Sequence, residues 1–101
     1  MRVMVLFDLP VGTAAERKEY ARFRKFLVRS GFVMMQESVY TKIVLTPAAA
    51  AAAIRHIRDA SPVEGLIQVL TVTEKQFAGM ELIIGSPQRE IVDSDERLVV
   101  L

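Results

Sequence analysis

The sequence predicts an α+β fold, a ferredoxin-like β-α-β-β-α-β antiparallel sheet with an additional C-terminal strand, and three observations carry that prediction. Extended stretches of apolar and β-branched residues alternate with two segments of helical character. Each helical segment opens on its own start signal, Thr13-Ala14-Ala15-Glu16 for the first and Thr46-Pro47 for the second. Residues 2–8 and 66–73 are apolar on both faces, whereas two helices cover only one face of a sheet. The uncovered face predicts a sheet-to-sheet homodimer, because a monomer would leave a large apolar surface in water.

Residues 2–8 form a strand in which Val3, Val5 and Phe7 point one way and Met4, Leu6 and Asp8 the other. Pro10 and Gly12 break the pattern, and the capping box then starts a helix. At about 100° per residue, Tyr20, Phe23 and Leu27 make its apolar stripe, and Lys18, Arg22, Lys25 and Arg29 cluster on the opposite side. Ser30-Gly31 ends it. Residues 32–45 hold two short extended stretches, the second running from Ser38 to Leu45. After Thr46-Pro47, six alanines raise helix propensity and Ile54 with Ile57 supplies a modest apolar face, until Ser61-Pro62 stops the helix. Leu66 to Thr73 is a clear strand, and Glu74 to Phe77 a short turn or single helical turn. Met80 to Ile84 reads as a further strand ended by Gly85, and Arg97 to Leu101 as a last one. With no internal repeat and no linker, residues 1–101 are expected to form a single domain.

Composition narrows the function. No apolar run approaches the ~20 residues of a membrane-spanning helix, and the first residues run into Asp8 and Pro10 without a cleavage signature, so a cytoplasmic protein is expected. The absence of cysteine removes disulfides, thiolate metal sites and a cysteine nucleophile. The single histidine, His56, cannot build a zinc site alone and is read as a surface or half-buried side chain. The net charge of +1 is close to neutral, so any nucleic-acid signal must lie in where charges are placed. Phosphate-binding loops, dinucleotide fingerprints and serine nucleophile elbows are all absent, as is the basic-aromatic signature of base-stacking RNA binders.

Asp8 stands out because it ends an apolar strand on the uncovered face. If a two-fold axis passes near that strand, Asp8 meets its own copy, and two close carboxylates call for a proton or a cation between them. Magnesium suits such a pair, since it prefers oxygen ligands and completes its shell with water and phosphate oxygens. The plainer reading makes Asp8 a cap for the turn at Leu9-Pro10. The helix stripe of Lys18, Arg22, Lys25 and Arg29, flanked by Arg17 and Arg24, can track a phosphate backbone, or can simply be a solvated face. It holds four cations and no acid, whereas ordinary exposed faces mix the two signs.

Met4-Val5-Leu6-Phe7-Asp8-Leu9-Pro10, the helix from Glu16-Arg17-Lys18 to Phe23-Arg24-Lys25-Phe26-Leu27, Gly31-Phe32, Gln36 and Ser38-Val39-Tyr40 together resemble the small CRISPR-associated adaptation protein family, the second core protein of those systems. Leu70-Thr71-Val72-Thr73-Glu74-Lys75-Gln76-Phe77 and Ser94-Asp95-Glu96-Arg97-Leu98-Val99 extend the resemblance and look like the type II subgroup. The resemblance implies a ferredoxin-like homodimer that binds the CRISPR integrase and inserts captured duplex DNA as new spacers. It also implies a magnesium-dependent endonuclease acting on single-stranded RNA or duplex DNA.

On this resemblance Asp8 is the metal-binding and catalytic aspartate, its Mg2+ shared between two copies. Arg17, Lys18 and Arg22, with Lys25 and Arg29 from the stripe, are the nucleic-acid contacts, and Arg97, Leu98, Val99, Val100 and Leu101 the partner-binding strand. One departure stands at Phe7, where many members of the family carry tyrosine. From another class, a small-ligand-binding regulatory dimer of the same fold is the alternative.

Overall fold

The period of two along β1 (Arg2–Asp8) sorts its side chains as the sequence predicts. In the computed structural model, which describes residues 1–85, Val3, Val5 and Phe7 are buried, whereas Leu6 and Asp8 are exposed and Met4 is half-buried. Six further elements follow: α1 (Ala14–Arg29), β2 (Val33–Gln36), β3 (Val39–Ile43), α2 (Pro47–Ala60), β4 (Leu66–Val72) and α3 (Glu74–Ala78). The strands form one antiparallel sheet in the order β2-β3-β1-β4, the ferredoxin-like arrangement.

Helix α1 starts where its capping box places it: the Thr13 hydroxyl accepts from the Glu16 N–H at 3.1 Å, and the Glu16 carboxylate accepts from the Thr13 N–H at 3.0 Å. It ends at Ser30, and Gly31 turns the chain at φ 91° with the Lys42 ammonium donating to the Ser30 carbonyl at 2.7 Å. Helix α2 begins with Pro47 in its first turn, behind the Thr46 hydroxyl that accepts from Ala49 N–H. Both helices cover the Val3, Val5 and Phe7 face. Phe23 and Leu27 of α1 join Ala50, Ala53 and Ile57 of α2 in one core with Phe32, Tyr40 and Val44. The Phe7 ring meets Phe23 edge-on at 5.3 Å and stacks on Tyr40 at 5.8 Å, an aromatic centre worth more than its area alone.

Neither of the two long helices covers the opposite face; among the described residues only the short α3 meets it, where Arg2 at one end of β1 pairs with Glu74. Met4 stands opposite Leu70, Leu6 opposite Val39 and Gln68, and Asp8 opposite Leu66. Leu66, Leu70 and Ile43 are all more than half exposed. The expected strand over Met80–Ile84 does not form: after α3 these residues have no ladder partner among the described residues. The last expected strand, Arg97 to Leu101, lies outside the described residues.

Candidate metal and nucleic-acid site

Asp8 is the last residue of β1, and the alternation of the strand aims it at the open face. What fixes it there is the approach of the α2–β4 connection. Gly65 has φ +112°, and a Cβ at that position would lie 2.9 Å from the Asp8 carbonyl oxygen and 2.6 Å from Leu9 Cδ2. Only glycine allows that packing, so the end of β1 is clamped between Leu66, its cross-strand neighbour, and the backbone of Gly65. Leu9, immediately after, is buried.

The Asp8 carboxylate makes no hydrogen bond and no ion pair among the described residues, so the turn-capping reading is not what the structure shows. An exposed carboxylate with all its lone pairs available is the donor type that magnesium takes. One chain offers only that one donor here: no group of three potential ligands is present among the described residues. The residues therefore fit a divalent cation only if a second carboxylate, water or phosphate completes the shell.

The basic stripe lies on the other layer. Lys18, Arg22, Lys25 and Arg29 are exposed on α1, which covers the face of the sheet opposite Asp8. Its cations are not equally available. Arg22 donates to the Glu19 carboxylate at 2.9 Å and to the Ala60 carbonyl at 3.0 Å, tying α1 to the C-terminal end of α2. The Glu19 partner hydrogen bond raises the Arg22 pKa, and the same bond lowers that of Glu19. Arg17 donates to the carbonyls of Val11 and Gly12, in the loop that follows Asp8. Arg24 donates to the buried Tyr40 hydroxyl at 3.0 Å. Lys18, Lys25 and Arg29 make no such bonds among the described residues.

A protein-family model described as CRISPR associated protein Cas2 matches residues 1–80. The chain belongs to the Cas2 family. Its relatives within that family include the CRISPR-associated endoribonuclease Cas2 of Treponema denticola, 54% identical over the whole of both chains. The protein of the same name from Streptococcus mutans is 48% identical over 100% of this chain and 93% of its own length, and that of Ligilactobacillus salivarius 42% identical over all of both. The crystal structure of Streptococcus pyogenes Cas2 at pH 6.5 superposes with a TM-score of 0.62, covering 82% of this chain and 99% of the other at 23% identity, a likeness of fold.

For a Cas2-family chain, the structure thus separates two features that the sequence suggests together. Asp8 lies on the open face and the cationic stripe on the helical layer, with Arg17 the cation tied to the loop between them. His56 is exposed on α2, as expected. Sequence reasoning missed the Gly65 clamp and the Arg24–Tyr40 bond. The first carried a faint signal, since Glu64-Gly65 directly before a strand marks a turn. The second carried none, because it joins elements distant in sequence.

Proposed function

We propose that the chain is a CRISPR adaptation protein that works as a homodimer, takes a divalent cation between the two Asp8 carboxylates, and binds duplex DNA together with the CRISPR integrase. The observation that carries this reading is the exposed, unpartnered Asp8 carboxylate at the end of an apolar open face, in a chain of the Cas2 family. Pairing two open faces removes Leu6, Leu66 and Leu70 from water and brings two copies of strand β1 toward one axis. The Treponema denticola relative is named an endoribonuclease. For this chain the corresponding activity is a phosphodiester hydrolysis on single-stranded RNA or duplex DNA. Arg17, Lys18, Arg22, Lys25 and Arg29 contact the phosphate backbone, and the 97–101 segment binds the partner. As a single domain without an apolar membrane-spanning helix among the described residues, it is read as cytoplasmic.

Magnesium, when bound, supplies an acidified water and neutralises charge on the phosphate oxygens. The chain's own contribution is positional. Gly65 and Leu66 hold the end of β1, so that Asp8 presents its carboxylate outward with no competing donor. The cations of α1 neutralise backbone phosphates at a distance from the scissile bond, and Arg22 does so only by giving up part of its hold on Glu19. A non-catalytic scaffold is the second reading. It is favoured by the absence, among the described residues, of any group of three potential metal ligands that would include Asp8, so one chain does not supply a complete metal site.

Asp8→Ala separates the two. Cleavage of labelled RNA and duplex DNA with and without magnesium is measured beside spacer integration by the purified integrase. Loss of cleavage with integration intact shows a hydrolase with a separable scaffold role. Wild-type protein that neither cleaves nor supports integration overturns the proposal. A duplex affinity that ignores salt would favour the small-ligand regulatory alternative, because phosphate neutralisation makes binding steeply salt-dependent.

A further inference from the structure

The α2–β4 connection holds the end of β1, yet little holds the connection along its own length. Residues 62–65 lead from the α2 cap at Ser61 straight into β4. They do not rest on a packed floor: a cleft of about 160 Å3 lies between Pro62 and Val63 on one side and Leu9, Pro10, Ala15 and Glu19 on the other. Val63 is fully exposed. A strap beside a void forfeits the dispersion contacts that would fix it from below. Its position is therefore set where its two ends are anchored.

One end is Gly65, pressed against the Asp8 carbonyl and Leu9. The other is the C-terminus of α2, whose last carbonyls need partners from outside the helical ladder. Ser61 serves two of them, its hydroxyl donating to the Ile57 carbonyl at 2.7 Å and its N–H to the Arg58 carbonyl at 3.3 Å. The Ala60 carbonyl, the last of the helix, accepts instead from Arg22 Nη2 on α1 at 3.0 Å. A cation there also meets the negative end of the helix dipole. The same Nη2 and the neighbouring Nε donate to the Glu19 carboxylate at 2.9–3.3 Å. Glu19 thus fixes the guanidinium, and the guanidinium fixes the end of α2.

We propose that Arg22 is a positioning residue for the Asp8 site: by holding the last carbonyl of α2 it sets the strap whose far end, Gly65, fixes Asp8. This is a second role for a cation of the basic stripe, separate from phosphate contact. It rests on the reading of Asp8 as a metal ligand and names a residue in the opposite layer that tunes it. Phosphate binding and the geometry at Asp8 are then coupled, because a phosphate that draws Arg22 away from Ala60 releases the strap, and a held strap in turn opposes that phosphate.

The test uses the full chain as wild type, Arg22→Ala, Glu19→Ala and Lys25→Ala, followed by NMR, Mg2+ titration and duplex binding at several salt concentrations. Arg22→Ala should speed exchange of the Ser61 amide about fivefold, the size of one half-exposed charge-assisted hydrogen bond. It should also move the amide resonances of Asp8, Leu9 and Leu66. Mg2+ binding should weaken about three- to tenfold, at or below the loss seen when a group that orients a metal ligand directly is removed. Glu19→Ala should move the same resonances while tightening the duplex, since it removes an acid. Lys25→Ala is the contrast: it should lower the salt slope by about one and leave those resonances in place. Asp8 and Leu66 resonances that stay put in Arg22→Ala overturn the positioning role. Equal movement in Lys25→Ala also overturns it, because loss of any stripe charge would then suffice. A wild type that takes no Mg2+ overturns the metal reading instead, and the Ser61 and Leu66 amides still decide the anchor.

Discussion

Replacing Gly65 by alanine tests whether the α2–β4 connection fixes the end of β1. Two costs combine at this position. Holding an L-residue at φ +112° costs about 1–3 kcal/mol. The added methyl would sit 2.6 Å from Leu9 Cδ2 and 2.9 Å from the Asp8 carbonyl, and because a backbone oxygen cannot rotate away, relieving that overlap costs about 1–3 kcal/mol more. The sum is about 2–6 kcal/mol. With about 4–8 °C lost per kcal/mol for a domain of this size, the melting temperature should fall by at least about 8 °C. Gly85→Ala is the internal control, since it shares a positive φ of 99° but has no atom within 4 Å of the added methyl. Thermal unfolding followed by circular dichroism on both variants separates backbone strain from steric overlap. If Gly65→Ala melts no lower than Gly85→Ala, the clamp on Asp8 is absent and the positional account of the site fails.

Further outcomes follow from the same structure. Phe23→Ala removes a fully buried ring that meets Phe7 edge-on and should destabilise by about 3–5 kcal/mol in urea unfolding; a loss under about 1 kcal/mol would mean that the aromatic centre is not the core. Leu70→Glu places a charge opposite Met4 on the open face and should leave the monomer folded while shifting sedimentation to a single-chain species, provided the wild type is a dimer. Glu19 and Glu74 have folded pKa values below the ordinary 4.5, through their bonds to Arg22 and Arg2. Their stabilising contribution is therefore complete above that ordinary value and is lost as pH falls through the lowered folded one. Carboxyl titration by NMR should give midpoints below 4.5 for both, and a midpoint at or above it would show that the pairs do not form in solution.

The elements that the sequence made legible are those with local signals. The Thr13–Glu16 box, the Thr46-Pro47 start and the Ser30-Gly31 stop act within a few residues, and all three bound helices in the structure. The strict alternation of β1 also carried its two faces, including Asp8 on the open one. Met80 to Ile84 misled for a physical reason: apolar composition describes a strand's taste for a half-buried surface, and a ladder also needs a partner strand, which the segment does not have among the described residues. The cationic stripe was legible as a pattern, but its coupling to Asp8 was not. Helical periodicity says which cations share a side and nothing of which sheet face the helix covers, or that Glu19 and the Ala60 carbonyl engage Arg22. Gly65 and Tyr40 depend on contacts between distant segments, which a single sequence leaves open.

Helix α2 rests on the core through Ala50, Ala53 and Ile57, so two of its three seats are single methyl groups. The helix backbone consequently rides close above its neighbours, and a bulkier residue at Ala50 or Ala53 would have to lift the entire rod. The outward alanines, Ala48, Ala49 and Ala51, are exposed and bear no such constraint. Two of the six alanines are therefore frozen by geometry. The three exposed ones are blank ground, where new charges can be written onto the exterior without disturbing anything beneath.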